Sequence, residues 1–342
     1  MKIIFRCDAS KDIGLGHLIR CLAIADCMDT KNEITFALNK NNIADELIAE
    51  NYESINQKKD ESELDFLLRV KEQIDPDVIV IDKKYNYKKK DFFKLKESKI
   101  NVVLIDVLCE GLELADEIII PGAFIDDNIF PKYLSSVRIK SIKKGPKYII
   151  VNKNLPSKVD LDTKKFKHDK NIIITVGGTD PSGVLFSILS FLSDLELDVS
   201  LLVGDHFKHK DKLIKLDKMN PCIHIVPFNL AKLVKADIAI CTFGVTLYEL
   251  LYLGIPTICI SHNEENALSS SKLVSKYPYF IDMGHIDHIN KSNFVKFLKR
   301  LIKDEDYYNN IALNSFELID GNGAKRTVEQ MMKVKVGNSN DI

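Results

Sequence analysis

Short runs of β-branched residues alternate with segments of helical periodicity along nearly the whole chain, and the alternation occurs in two successive series. Runs such as Val78-Ile79-Val80-Ile81 are apolar at every position. This pattern is typical of parallel strands that helices cover on both faces. The sequence therefore predicts two doubly wound α/β domains.

The apolar runs predict strands in each series, and the periodic segments between them predict helices. Strands are expected near Lys2–Arg6, Ile34–Leu38, Val78–Asp82, Asn101–Ile105, Glu117–Ile120, Tyr148–Val151, Ile172–Val176, Val199–Val203, Ile223–Val226, Asp237–Cys241, Thr257–Ile260 and Tyr279–Asp282. Helices are expected near His17–Asp29, Glu63–Gln73, Val184–Leu192, Val245–Leu253, Asn293–Lys303 and Gly323–Val334.

One aperiodic segment, Asn152–Asn171, separates the two series near the middle of the chain. We predict a first domain over residues 1–152, a linker over 153–170 and a second domain over 171–342. Ligands bind beyond the carboxyl ends of parallel strands, so loops from both domains are expected to face each other across a cleft. The last helix is expected to pack near the interdomain region.

Composition excludes several classes of protein. Of the 342 residues, 45% are hydrophobic, which rules out a disordered or fibrous chain. The 48 Lys and Arg nearly balance the 49 Asp and Glu, and the net charge of −1 offers no overall attraction for nucleic acid or an anionic membrane. We therefore expect a protein that acts on a small molecule and binds no nucleic acid.

The cysteines and the apolar stretches indicate a cytoplasmic protein. The seven cysteines include no Cys-x-x-Cys pair and mostly lie in or beside apolar runs, as reduced buried thiols do. Arg6 interrupts the start of the chain before the apolar region of a signal peptide could develop. The apolar stretch Ile238–Ile260 contains Glu249, Gly254 and Pro256, so it predicts strand, helix and strand rather than membrane insertion.

The first loop that could carry chemistry follows the first predicted strand and ends in Gly14-Leu15-Gly16-His17. The glycines allow a tight turn, and His17 would lie in the first turn of a helix. The helix dipole and the nearby Arg20 favour a neutral imidazole, which can accept a proton from water. The alternative is that His17 only packs or caps the turn. Ile19 occupies the third glycine position of a dinucleotide fingerprint, which argues against a dehydrogenase.

The second loop, Gly177-Gly178-Thr179-Asp180-Pro181, directly follows a predicted strand. Asp180 and Pro181 suit the start of a helix, which would leave the two glycine amides facing a phosphate. An ordinary strand-to-helix turn is the alternative. Asp180 would repel a phosphate if it pointed inward, so capping is its expected role.

The third loop, Gly244-Val245-Thr246, leads into an apolar helix that carries Glu249. Glu249 is the only charged residue between Asp237 and Glu264. A carboxylate in such surroundings needs a hydrogen-bonding partner, and a ribose diol would satisfy both of its oxygens. The alternative is a helical glutamate that faces solvent.

Other polar patterns suggest no site. His206-x-x-His209 and His285-x-x-His288 lack a convincing third metal ligand, so we expect solvated surface pairs. Asp160-x-Asp162 lies in the predicted linker, and Lys88-Lys89-Lys90 is expected to begin a solvated helix face. We predict no metal site and no cofactor.

Taken together, the three loops resemble a known family. The stretch from Phe5 to Ala23 closely resembles the opening of the pseudaminic acid pathway hydrolases, which act on UDP-2,4-diacetamido-2,4,6-trideoxy-β-L-altropyranose. It equally resembles spore-coat polysaccharide glycosyltransferases, and both are similar to the peptidoglycan N-acetylglucosaminyltransferase of GT-B architecture. The resemblance continues nearly to the end of the chain, through Val80-Ile81-Asp82, Gly145-Pro146-Lys147-Tyr148, Gly177-Gly178-Thr179-Asp180-Pro181, Ala236-Asp237-Ile238-Ala239-Ile240, Gly244-Val245-Thr246-Leu247-Tyr248-Glu249 and Asp320-Gly321-x-Gly323-Ala324.

The resemblance implies two Rossmann-like domains that face each other across a cleft, a UDP-sugar substrate and a division of roles. His17 would activate water. The sugar would contact Asp8, Gly14, Gly16, Arg20, Tyr85, His262, Asn263 and Asn266. The nucleotide would contact Gly177, Gly178, Phe228, Gly244, Val245, Thr246 and Glu249, with the last of these on the ribose.

Three positions depart from the family pattern, and all three would touch the sugar. Phe243 replaces a usual glycine, Lys84 or Tyr85 stands where a tyrosine after Asp82 is expected, and His262-Asn263 replaces an Asn-Gln pair. The resemblance therefore implies nucleotide binding but leaves the sugar open.

Three functions are compatible with this pattern. The first is a metal-independent hydrolase that splits the anomeric C–O bond of a UDP-linked deoxy amino sugar, with His17 as base and helix amides stabilising UDP. The second is a glycosyltransferase of surface polysaccharide biosynthesis that uses the same donor site. The third is a nucleotide-sugar-binding subunit of a glycan assembly complex, against which the motif around His17 argues.

Overall fold

The computed structural model divides the chain into two compact units. The first comprises Met1–Lys153 together with Asn322–Ile342, and the second comprises Asn154–Gly321. The structure describes residues 1–9, 15–40, 42–48, 50–122, 130–135, 138, 141–177, 180, 182–204, 207, 209, 211–213 and 221–337. Among these residues, no helix combines the length and apolar composition that crossing a bilayer requires.

The first unit is built on a parallel seven-stranded sheet of order β3-β2-β1-β4-β5-β6-β7. Its strands are β1 Lys2–Cys7, β2 Glu33–Asn39, β3 Glu53–Gln57, β4 Val78–Asp82, β5 Asn101–Ile105, β6 Glu117–Ile120 and β7 Lys143–Lys144. Its described helices are α1 Gly16–Ala25, α2 Asn42–Ile48, α3 Glu63–Ile74, α4 Lys89–Glu97 and α11 Gly323–Gly337.

The second unit is built on a parallel six-stranded sheet of order β10-β9-β8-β11-β12-β13. Its strands are β8 Ile172–Thr175, β9 Val199–Val203, β10 Ile223–Pro227, β11 Ile238–Thr242, β12 Thr257–Ser261 and β13 Ile281–His285. Its described helices are α5 Val184–Leu192, α6 Leu230–Lys235, α7 Val245–Tyr252, α8 Glu264–Lys276, α9 Lys291–Lys303 and α10 Glu305–Leu318.

Helices cover both faces of the first sheet, as the apolar strand runs predict. Along β1, Ile3 and Phe5 join a core that includes residues of α1 and α11, whereas Ile4 joins a second core on the opposite face. Successive side chains of a strand point to opposite faces, so one apolar run supplies both cores.

Both sheets reverse their strand order beside a central strand, and this reversal determines where ligands can bind. In the first unit the chain moves outward from β1 to β3 and then returns to the other side of β1 with β4. The second unit repeats the pattern with β8 and β11. The crevices beyond the carboxyl ends of these two strand pairs are the topological switch points of the fold.

One predicted strand is wrong, and two observed strands were not predicted. Tyr148–Val151 forms no strand, because Gly145 has a φ of 98° and the chain turns into a short 3-10 helix at Pro146–Tyr148. The edge strands β3 and β7 escape prediction because their sequences, ESINQ and KK, have no apolar run.

The boundary between the units, at Lys153 and Asn154, falls at the start of the predicted linker, but the segment from Asn154 onward belongs to the second unit and packs on it. Lys158 lies 3.6 Å from the ring centre of Phe316 and 4.5 Å from that of Tyr252. Its burial lowers its pKa to about 8, against the opposing effect of Asp320. Phe166 likewise contacts Tyr308, with ring centres 5.7 Å apart. Such contacts between cationic and aromatic side chains leave no helical or strand periodicity in the sequence, so the sequence does not show that this segment is packed.

The sequence predicts the last helix as part of the second domain, whereas the structure places it in the first unit. Ala324 and Met331 of α11 belong to the same core as α1. At the start of the helix, a Cβ on Gly323 would lie 2.0 Å from the carbonyl oxygen of Ile149, so only glycine permits this approach. The chain therefore returns to its first unit to complete the cover of that sheet.

We predict that Met331→Ala destabilises the first unit by about 2–4 kcal/mol, since it leaves a cavity in a packed core. The neighbouring Met332 is the matched control, because Met331 is 1% exposed and Met332 is 37% exposed. Met332→Ala should change the free energy of unfolding by less than about 0.5 kcal/mol. Urea denaturation followed by circular dichroism measures both, and equal effects of the two substitutions would contradict this packing of α11.

Candidate functional site

The switch point of the first unit holds His17. Gly16 and His17 are the first two residues of α1, as the loop pattern predicts. The Nδ1 atom of His17 lies 2.7 Å from Oδ1 of Asp82, the last residue of β4. His17 is 16% exposed at its side chain, so its ring is held by the protein and is still reachable.

Asp82 is fully buried and remains ionised. Burial raises the pKa of a carboxyl group, but the charge of Arg20 and the hydrogen bonds from His17 and Arg20 outweigh it and hold the pKa of Asp82 below its usual value. Arg20 donates from Nε at 2.7 Å and from Nη2 at 2.6 Å, a bidentate pair.

An ionised Asp82 determines which nitrogen of His17 carries the proton. The carboxylate can only accept a hydrogen bond, so the 2.7 Å contact requires N–H at Nδ1. In the neutral ring, Nε2 then has a lone pair that can accept a proton. Arg20 is itself fixed by Asp106, which accepts from Nη1 at 3.0 Å and has a φ of 57° after β5. This strained backbone position at a site is typical of functional loops.

Beside this dyad lies a buried ionic cluster centred on Arg6. The Arg6 guanidinium has no exposed area and donates to both oxygens of Glu63 at 2.8 Å and to Asp8 at 2.8 Å. Glu63 also accepts from Lys83 and from the buried Tyr87 hydroxyl, each at 2.8 Å. Burial opposes ionisation of Glu63, but Arg6 and Lys83 lower its pKa to about 2.

Asp8, predicted to contact the sugar, uses both of its oxygens within this cluster. Oδ1 accepts from Arg6 and from the amide of Asn39 at 2.9 Å, and Oδ2 lies 3.0 Å from Lys83. Asp8 therefore holds the loop after β1, and its sugar contact stays a prediction. Tyr85 is 46% exposed near this edge, while Gly14 lies outside the described residues.

At the switch point of the second unit, the loop after β8 contains Gly177, whose φ of +79° favours glycine. Gly178 lies outside the described residues. Asp180 accepts from the amides of Val184 at 2.9 Å and Leu185 at 3.1 Å, which is the capping role expected of it. The helix itself begins at Val184, later than the Asp-Pro pair suggests.

The loop after β11 leads through Gly244 into α7, which begins with Val245 and Thr246. Apart from its two chain neighbours, no atom of the described residues lies within 4 Å of the position that a Cβ on Gly244 would occupy, so the backbone here is open to an approaching group. Glu249 is 4% exposed, which excludes the alternative of a solvent-facing glutamate.

The remaining predicted residues flank this switch point. Phe228 is 40% exposed just after β10. Asn263 caps α8, since its side chain accepts from the amide of Asn266 at 2.8 Å. The side-chain nitrogen of Asn266, Nδ2, lies 3.4 Å from Nδ1 of His262. These contacts organise the loop after β12, and contact with a sugar stays a prediction.

The sequence alone does not identify Asp82 and Asp106 as site residues, and of the Arg6 cluster it identifies only Asp8. The available signal was positional: each aspartate comes directly after a run of buried apolar residues, Asp82 as the last residue of β4 and Asp106 just after β5. Two strands of the second unit, β8 and β12, also end in a residue with a buried hydroxyl group. Within the described residues, Thr175 Oγ1 and Ser261 Oγ have no hydrogen-bond partner. Such groups beside a ligand-binding edge are candidates for ligand contacts.

The architecture defined by these two sheets is that of GT-B proteins. MurG of Acinetobacter baumannii superposes with a TM-score of 0.68 at 13% identity, over 97% of this chain and 100% of that one. The UDP-GlcNAc 2-epimerase of Neisseria meningitidis, solved bound to UDP-GlcNAc, gives a TM-score of 0.62 at 12% identity over 97% and 100% of the two chains. The predicted fold class is therefore confirmed.

Two relatives are similar in sequence, and no family model matches the chain. An uncharacterized protein of Methanocaldococcus jannaschii is 29% identical over 320 residues, which cover 86% of this chain and 65% of that protein. The chain thus spans just under two thirds of that relative. The spore coat polysaccharide biosynthesis protein SpsG of Bacillus subtilis is 22% identical over 347 residues, covering 93% and 94% of the two chains.

We predict that Arg6→Met destabilises the first unit by about 3–5 kcal/mol, because among the described residues it leaves Lys83 as the one cation beside the buried Glu63 and Asp8 carboxylates. Arg69 is a matched control, since both guanidinium groups lie 5.1 Å from the Phe66 ring centre but Arg69 is 19% exposed. Arg69→Met should cost about 1 kcal/mol or less. Urea denaturation compares the two, and a cost for Arg6→Met as small as the control's would refute the role given to the cluster.

Proposed function

We propose that this chain is a UDP-sugar-dependent enzyme that transfers a sugar to a hydroxyl acceptor in surface polysaccharide biosynthesis. The observation that carries the proposal is the pairing of the reachable His17 with the buried Asp82 at the switch point of a GT-B unit. The likeness to SpsG, whose name assigns it to polysaccharide synthesis, and to structures of UDP-sugar proteins supports the same class.

The first unit supplies the base. His17 Nε2 accepts the proton of the attacking hydroxyl while the hydroxyl oxygen bonds to the anomeric carbon. The bond between the anomeric carbon and the UDP oxygen breaks, and its electron pair leaves with UDP. Asp82 holds the Nδ1–H tautomer and stabilises the imidazolium that forms, because its carboxylate stays ionised. Arg20 keeps the carboxylate oriented.

The second unit supplies the nucleotide-binding groups. Backbone amides at Gly244, Val245 and Thr246, at the start of α7, face the diphosphate and stabilise the departing UDP. Gly177 approaches the phosphates from the loop after β8. The buried Glu249 accepts hydrogen bonds from the ribose hydroxyls.

Hydrolysis is the second candidate, with water in place of the acceptor hydroxyl. It is favoured by the stretch from Phe5 to Ala23, which resembles the pseudaminic acid pathway hydrolases, and the dyad can deprotonate water equally well. A panel of UDP-sugars, with and without candidate acceptors, separates the two reactions. UDP release that requires an acceptor shows transfer, and equal release without one shows hydrolysis.

We predict that His17→Asn lowers the rate of UDP release about 10²–10⁴-fold, the usual contribution of a positioned general base. The affinity for UDP should stay nearly unchanged, because its proposed contacts lie in the second unit. His168→Asn, at an exposed histidine, serves as control and should leave the rate unaltered. A His17→Asn rate within a few-fold of the wild type would remove His17 from the mechanism.

We predict that Glu249→Gln weakens UDP binding by about 1–3 kcal/mol, since a charged acceptor for the ribose is lost. Calorimetry with UDP and 2′-deoxy-UDP makes the test specific: the wild type should prefer UDP, and the variant should lose that preference. Glu317→Gln, at an exposed position of α10, is the control. If the variant retains the full preference, Glu249 does not bind the ribose.

A further inference from the structure

We propose that Glu264, His285 and His288 form a binding site for a divalent transition metal such as Zn²⁺. Within the described part of the chain, these three residues are a group whose ligand atoms all lie within 4.8 Å of one another. The sequence alone offers no third ligand for the two histidines. The structure brings Glu264, from helix α8, close enough to be that ligand.

The sheet brings the three residues together. β13 runs beside β12 with His285 opposite Ser261, and α8 begins with Glu264 shortly after β12 ends. His285 is followed by a 3-10 helix over Ile286–His288. Because such a helix has about three residues per turn, the rings of His285 and His288 project on the same side, with centres 5.4 Å apart.

The distances suit a metal after small side-chain rotations. Oε1 of Glu264 lies 3.9 Å from Nδ1 of His285 and 3.9 Å from Nδ1 of His288. Tetrahedral coordination at about 2.0–2.2 Å places ligand atoms roughly 3.3–3.6 Å apart. The side chains of Glu264 and His288 are 74% and 72% exposed, so they can move, while His285 is only 14% exposed. Nδ1 of His285 would exchange its long hydrogen bond from the Asp287 amide, at 3.4 Å, for the metal.

The ligand set determines the class of metal. Two imidazoles with one carboxylate favour zinc, nickel, cobalt or iron(II) over magnesium or calcium, which prefer oxygen ligands. The carboxylate of Asp287, 3.7 Å from Nδ1 of His285, adds negative charge beside the cation. A bound metal would tie the end of β13 to the start of α8, the helix that Asn263 caps.

The test measures metal binding directly and does not depend on the activity of the enzyme. Purified full-length chain, stripped with a chelator, is titrated with Co²⁺ for its visible absorption and with Zn²⁺ against a chromophoric chelator. We expect one metal per chain and a rise in Tm with Zn²⁺. His285→Ala and His288→Ala should each weaken Zn²⁺ binding at least tenfold, since even outer partners of metal ligands contribute about 10–100-fold.

His224→Ala is the matched control, because His224 is 55% exposed on the edge strand β10 and pairs with Asp198. It should leave the Zn²⁺ affinity unchanged. Because His288 is mostly exposed, His288→Ala keeps the test valid if His285→Ala fails to fold. Zn²⁺ binding that is absent, or that His288→Ala weakens no more than His224→Ala does, would overturn the proposal.

Discussion

The candidate site of the first unit depends on the ion pair between Asp82 and Arg20. A carboxylate with no exposed area is costly unless positive charge and hydrogen bonds compensate its lost hydration. Arg20 supplies both, and Asp106 holds Arg20 in turn. His17 shares Oδ1 of the same carboxylate with Arg20, so the requirement to neutralise a buried charge also fixes the orientation of the ring.

The fold could be predicted from the sequence because parallel strands buried on both faces leave a strong apolar pattern, as Val78–Asp82 does. His17 could be placed in the first turn of α1 from its glycines alone. The partner of His17 could not be predicted in this way. Asp82 is 65 residues away, and the two residues meet only because β4 returns beside β1. Periodicity describes single elements, and strand order determines which loop residues become neighbours.

The domain assignment failed at the end of the chain for a related reason. An amphipathic helix shows which of its faces is buried but not which sheet covers it. The contacts that decide this for α11 are specific and short in range, such as the approach of Gly323 to the backbone of Ile149. Arg326 adds a hydrogen bond to the carbonyl of Lys147 at 2.8 Å. No periodic signal accompanies either contact.

The starts of two helices differ in the second unit, and the difference bears on where an anion would bind there. In the second unit, Asp180 already occupies amides at the start of α5. Among the described residues, no side chain caps α7 at Gly244. Our proposal therefore places the phosphate at the first amides of α7 rather than at those of α5, since the partial positive charge of a helix N-terminus attracts an anion.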